Sequence, residues 1–574
     1  VRHYLLISLM ILLIAWPIGT LVETSWSGRA DDEPSLAKST RQASLATETI
    51  KLVALTLAMA MPVGIATGLA VFRCDVPGRV AWAPALVVPA LLPIDLHATA
   101  WLAAFAPHGV VHWLGVDGEL SGVVGAAWIH AMAALPLVIG MTGVATLFVE
   151  AELEEDCLLL GGPFRTMWHV TLTRSAGALA GAAMIVGVNT AGEMTVTDLL
   201  AVRTYAEAVY TEFAIAGRVG AATRTALPGL VVLLLLVALA ARALAGRLPA
   251  DAQAFVAARP VFRLGALRWP AAGLCLVSTV ASCGVVVGSL GWRAGLEFPG
   301  RLASPSAMRQ GPSSDEGTTV AARGGDGVPT EPRWSLRSLV LNVARSTRSV
   351  GGELLYSLML AGASAAAVVP LAWWIAWAAR ESAMGRVLAI VVTCVLMAMP
   401  APVLGMGLAL ALGRPTLWWG TGDATWGGQA ADALAAVADS PVVLVWLYCL
   451  RSLPYALAVL WPAVRLVNRS VIESATIDGA GAWRRFRHVD VPACWRAALA
   501  AGLVAVVLSV GELGGAVIVA PPGLQPLSVR IFTLAHFGVE NHLAGICLVL
   551  LFVGLCGSAT VYFAVQRWSR DVAQ

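Results

Sequence analysis

Charge is scarce in this chain. Asp, Glu, Lys and Arg make up 13% of its 574 residues, against about 25% in a soluble globular domain. That shortage excludes a soluble enzyme or binding module. The net charge of +3 is too small for a nucleic-acid partner. Cys-x-x-Cys is missing, and the nine cysteines, Cys74, Cys157, Cys394 and Cys547 among them, form no cluster with His. They read as small apolar residues in helices, so no metal site is expected. No G-x-x-x-x-G-K-[ST] occurs, which excludes a P-loop for ATP. No cofactor and no catalytic residue are expected.

Apolar residues are abundant: 58% of the chain, with a mean hydropathy of +0.77. The expectation is an all-α polytopic membrane protein. Runs long enough to cross about 30 Å of hydrocarbon lie near 4–22, 48–72, 80–106, 121–148, 175–200, 226–246, 267–290, 353–378, 387–413, 440–464, 494–520 and 541–566. They are too long and continuous for the alternating strands of a barrel. No clear small-x-small cleavage site follows the first run, so it reads as a retained helix.

With both termini in the cytosol, 20 Lys and Arg fall in cytosolic segments and 16 outside. Eight of the 16 lie in the single long stretch 291–350, and long loops translocate largely regardless of charge. That stretch is Pro/Gly/Ser-rich over 299–333 and reads as a disordered extracytosolic loop.

The chain repeats itself. Glu154, Gly162, Arg165, His169 and Val170 fall on Glu473, Gly481, Arg484, His488 and Val489 at a spacing of 319, and Gly192-Glu193 falls on Gly511-Glu512. Arg79 and Pro93 fall on Arg386 and Pro400 at 307. Six spans per half give both halves the same orientation, a parallel duplication. The halves are expected at 1–247 and 267–574, joined by a cytosolic linker at 248–266.

The segment ESATIDGAGAWRRFRHVDVP (473–492) reads as a short helix ended near Gly479 or Gly481, where positive φ costs little, and a second short helix. Trp483 and Phe486 lie on one face of that helix as aromatic anchors for a partner. Arg484 and its neighbours supply charge, and Pro492 ends the loop. Glu473, Ala475, Gly479, Val489, Val491 and Pro492 follow E-x-A-x-x-x-G-x9-[IV]-x-[LV]-P. This resembles the cytosolic signature loop of binding-protein-dependent ABC importer permeases. The first copy, around Glu154, Gly161, Gly162 and Arg165, departs from the pattern: Asp156 replaces Ala, Leu160 replaces Gly and Thr173 replaces Pro. As fused permease halves the chain resembles ferric-iron importers, with thiamine importers close by. The resemblance implies a multi-pass protein of the bacterial inner membrane, two copies of a cytosolic ATPase at the loops, an extracytosolic binding protein and no enzyme activity of its own.

Ionisable residues inside spans face a bundle interior or a water-filled path. Glu193, Glu512 and Arg451 are therefore path candidates, with helix bracing as the alternative for each. His97 and His130 read as packing histidines. An ion-driven secondary transporter is the rival function, but it would need no duplicated loop. A membrane scaffold is a weaker rival, since no signalling domain is visible.

Overall fold

The computed structural model describes residues 14–27, 35–245, 260–297, 332–413 and 434–572, except positions 114, 116, 117, 148 and 435. Most of the run at 4–22 lies outside them. Among the described residues nine helices are long and apolar enough to cross a membrane, and two further pairs are bent by more than 100°. Together these account for the other eleven runs.

The first half runs α1 (Trp16–Ser27), α2 (Ser35–Arg73), α3 (Arg79–Val87), α4 (Ile94–Phe105), α5 (Gly122–Thr146), α6 (Ala151–Thr166), α7 (Leu172–Gly192), α8 (Thr195–Leu199), α9 (Tyr205–Tyr210) and α10 (Val219–Ala245). The second opens with α11 (Arg268–Thr279), α12 (Val285–Gly295), the strand pair β1 (Leu296–Glu297) and β2 (Arg333–Trp334), and α13 (Leu336–Ser349). It continues with α14 (Gly351–Glu381), α15 (Ala383–Ala398), α16 (Ala401–Gly413), α17 (Val442–Arg465), α18 (Arg469–Ile477), α19 (Ala482–Arg485), α20 (Val491–Val510), α21 (Ala516–Val519), α22 (Leu527–Ala535) and α23 (Asn541–Val572). Within 291–350, then, 333–334 is paired strand and 336–349 is helix; residues 298–331 lie outside the described set.

The same helices pack in each half. α2 lies on α5 and α7, as α14 lies on α17 and α20. Contacts between the halves are reciprocal. α10 packs on α15 and α1 on α16, while α23 packs on the α3–α4 pair and α12 on α4.

Two expected spans are broken rather than straight. α3 and the 3-10 turn after it meet α4 at 104°, and α15 meets α16 at 103°. Pro93 and Pro400 stand at the breaks. Proline forces the residue before it out of the helical region, and Leu92 (ψ 135°) and Met399 (ψ 116°) are both extended. Hydropathy could not reveal this, because both arms of each pair are apolar. The fifth spans also end earlier than the apolar runs at 175–200 and 494–520 suggested. α7 stops at Gly192 and α20 at Val510, and short helices follow each.

Candidate functional site: a cavity between the halves and two loops on one face

Glu193, Glu512 and Arg451, chosen from the sequence as path candidates, line one cavity of about 240 Å³. Pro93, Asp95, His130, Tyr448 and Tyr455 line it as well. The glycine before each glutamate makes it possible. A methyl on Gly511 would sit 2.6 Å from Pro93 Cβ, and one on Gly192 would sit 3.3 Å from Pro400 Cα. Each Gly-Glu corner thus seats on the proline break of the other half. Gly511→Ala should cost about 1–3 kcal/mol by overpacking, with a matching fall in the melting temperature; an unchanged melting temperature would show that the corner is loose.

Both glutamates brace the corners they occupy. Glu193 accepts from the backbone N–H groups of Thr195 and Val196, the latter at 3.0 Å. Glu512 accepts from Gly515 N–H at 3.1 Å and from Arg451 Nε at 3.1 Å. Arg451 also donates to Met399 O at 3.3 Å, beside the second break. His130 Nε2 stands 3.6 Å from Glu193 Oε2. Asp95 and His97 are buried and, among the described residues, make no side-chain hydrogen bond. His97 is therefore not the satisfied packing histidine expected. The sequence reading also missed Pro93 and Pro400 as site residues, although their pairing at 307 was the signal.

Beyond the cavity the halves meet again. His536 Nε2 lies 2.9 Å from Asp198 Oδ2, and Tyr210 meets Phe532 edge-on at 6.3 Å. At the cavity wall itself, Tyr455 donates to Asn189 Oδ1 at 3.2 Å.

The two loops, 151–171 and 469–490, occupy the same place in their halves. A π-helical turn closes each, Met167–Thr171 and Phe486–Asp490, at the 319 spacing. Their glycine turns do not obey that spacing. The left-handed residue is Gly162 (φ 73°) in the first and Gly479 (φ 76°) in the second. The first loop therefore turns two residues later, at Gly162 rather than at Leu160, and Gly161 stays helical. Pro492 lies inside one continuous helix, Ala482–Val510, just past the second π-helical turn, so it does not end the loop.

The tips of both loops expose apolar side chains. Leu159, Leu160 and Ile477 are each 86% exposed and Trp483 is 62% exposed. Glu473, Gly479, Gly481, Arg484 and Arg165 are also exposed, and Ala475 is half-buried. Phe486 differs from its expected role. It stacks on Trp483 at 5.5 Å but also packs edge-on against Trp373 and Trp377 of α14, so it holds the loop to its own half. Trp483→Ala should cost little stability, whereas Phe486→Ala should cost about 1–3 kcal/mol as a half-buried packed aromatic. Melting curves of the two variants separate the roles.

Glu154 is placed differently from Glu473. Glu154 is fully buried and ion-paired to Arg73, and it accepts from Thr171 Oγ1 at 2.6 Å. Arg73 also reaches Thr146 O at 3.2 Å and Pro260 O at 3.4 Å, and lies over the Phe262 ring. The end of the linker is stitched there too, with Phe262 N–H donating to Arg73 O at 2.8 Å. In the second half Arg380 does the same work. It reaches Val464 O at 3.3 Å and grips both oxygens of Asp490, one at 2.9 Å. The acid has moved along the repeat from 154 to 490, the position matching Thr171. Glu473 is left exposed, paired at 2.9 Å with Arg469. Arg73 and Arg380 entered the sequence reading only as orientation charges.

Residues 368–573 match the family of the binding-protein-dependent transport system inner membrane component. The matched segment runs from within α14 to the end of α23 and includes Pro400, Arg451, the second loop and Glu512. Relatives in Salmonella paratyphi A and Salmonella typhimurium carry the provisional name 2-aminoethylphosphonate transport system permease protein PhnV. Each is 27% identical over 158 residues, 28% of this chain and 53% of the relative. The chain thus spans about half the length of the curated relatives it matches.

Proposed function

We propose that the chain is the whole membrane path of a binding-protein-dependent ABC importer, built as two permease halves at 1–247 and 267–574 with 248–266 between them. The observation that carries this reading is the cavity. It is lined by the Gly-Glu corners of both halves, and each half also carries a loop with an exposed apolar tip. Two copies of a cytosolic ATPase dock on the tips, one at Leu159 and Leu160, the other at Ile477 and Trp483. Each loop is tied to a span of its own half, by Arg73 or by Arg380. Drawing the loops together therefore turns the halves as bodies and opens the cavity toward the delivering binding protein. The loop face is then cytosolic, and the face carrying α13 and the Asp198–His536 contact is extracytosolic.

The relatives' name favours a small organophosphonate as cargo over the ferric iron or thiamine suggested by the fused halves. Three carboxyl groups, a guanidinium and an imidazole around about 240 Å³ suit a small zwitterion. The test is uptake of labelled 2-aminoethylphosphonate by cells producing the chain together with an ABC ATPase and a binding protein from the same organism. Saturable uptake, lost when the ATPase is inactivated, is the expected result. Uptake of ferric iron or thiamine instead would overturn the cargo and leave the importer reading intact.

A further inference from the structure

The face opposite the loops carries a run of basic charge. Residues 333–349 hold Arg333, Arg337, Arg345 and Arg348 and no acidic residue. Half of the outside Lys and Arg that blur the orientation count lie in the 291–350 stretch around them.

Within this segment α13 presents its sides in an unusual order. Ser338, Asn342 and Ser346, four apart, face the protein. Ser338 and Ser335 donate to Glu297 and hold its carboxyl below the usual carboxylate range. Asn342 Nδ2 donates to Ala294 O at 2.7 Å, and Ser346 Oγ donates to His542 O at 3.1 Å. These contacts reach the end of α12 and the start of α23. The helix of 14 residues therefore lies across the ends of spans instead of running beside one. On another side Leu336, Val340 and Ala344, again four apart, form an exposed apolar stripe, with Leu336 at 63% and Val340 at 58%. Arg337, Arg345 and Arg348 are exposed on the next side around. Trp334 stacks on Trp292 at 6.3 Å just before the helix.

We propose that α13 is an interfacial helix that binds anionic phospholipid in the adjoining leaflet. Its apolar stripe enters the acyl boundary and its arginines meet lipid phosphates. A stripe of Leu and Val flanked by Arg is the pattern of a helix lying in the headgroup layer. The span α14 begins two residues after α13 ends, which holds α13 at the depth where that span enters the bilayer. Leu355 and Met359, one and two turns into α14, are also exposed, as residues facing lipid would be. A binding protein docking on this face is the competing occupant, but the apolar stripe continuing toward the lipid-facing side of a span favours the membrane.

The test is hydrogen exchange of the 332–350 peptides in the full chain, held in nanodiscs of phosphatidylcholine with or without phosphatidylglycerol. Phosphatidylglycerol should slow exchange at least about fivefold, the effect of one Arg at an anionic surface. Arg337→Gln, Arg345→Gln and Arg348→Gln together should abolish the slowing. If that variant does not insert, Val340→Asn alone should weaken it. Exchange that ignores lipid charge in the unsubstituted chain overturns the proposal. So does slowing that survives whichever substitution inserts, or that appears only when the extracytosolic binding protein is added.

Discussion

Glu154→Ala should destabilise the protein by about 3–5 kcal/mol, because it strands the buried Arg73 guanidinium without its charge partner. Glu473→Ala, at the matching position of the repeat, should cost about 0.5 kcal/mol or less, the worth of an exposed pair one helical turn apart. Asp490→Ala should behave like Glu154→Ala, since Asp490 holds Arg380. Thermal unfolding of the detergent-solubilised chain separates these cases. Equal losses at 154 and 473 would mean that the two loops are anchored alike, against the geometry of Arg73 and Arg380.

The second large effect belongs to Glu512 and Arg451. Glu512→Leu leaves Arg451 at the cavity wall with a backbone carbonyl in place of a carboxylate, and removes the acceptor for Gly515 N–H. The expected cost is about 3–5 kcal/mol. Arg451→Leu in addition should restore much of that, because an apolar pair replaces a stranded charge. Glu512→Gln keeps one acceptor but cannot neutralise Arg451. It should lower uptake more than it lowers the melting temperature, while stimulated ATP hydrolysis continues. A Glu512→Leu variant as stable as the parent would remove the bracing role assigned here.

The spans were legible because a bilayer demands continuous apolar length, and that demand is written residue by residue. The Gly-Glu corners were legible as a pair because the repeat preserves them. What they touch was not, since Gly511 meets Pro93 and Gly192 meets Pro400 across hundreds of residues of sequence. The breaks at those prolines stayed hidden within runs of unbroken hydropathy. Sequence spacing pairs Glu154 with Glu473 and does not show that only the first is buried. Burial, which separates them, depends on whether the acid facing the span-end arginine comes from the loop's first helix or from its last turn. From the sequence Phe486 reads as a surface anchor, because its partners, Trp373 and Trp377, lie about a hundred residues earlier, on α14.

The central claim is that both loops are ATPase docks on one chain. The most direct measurement is the native mass of the complex purified through the chain after co-expression with its ATPase. The unsubstituted protein should carry two ATPase copies. Leu159→Ser with Leu160→Ser should leave one, Ile477→Ser with Trp483→Ala should leave one, and all four together should leave none while the chain still inserts. Two copies retained in the fourfold variant would contradict the account.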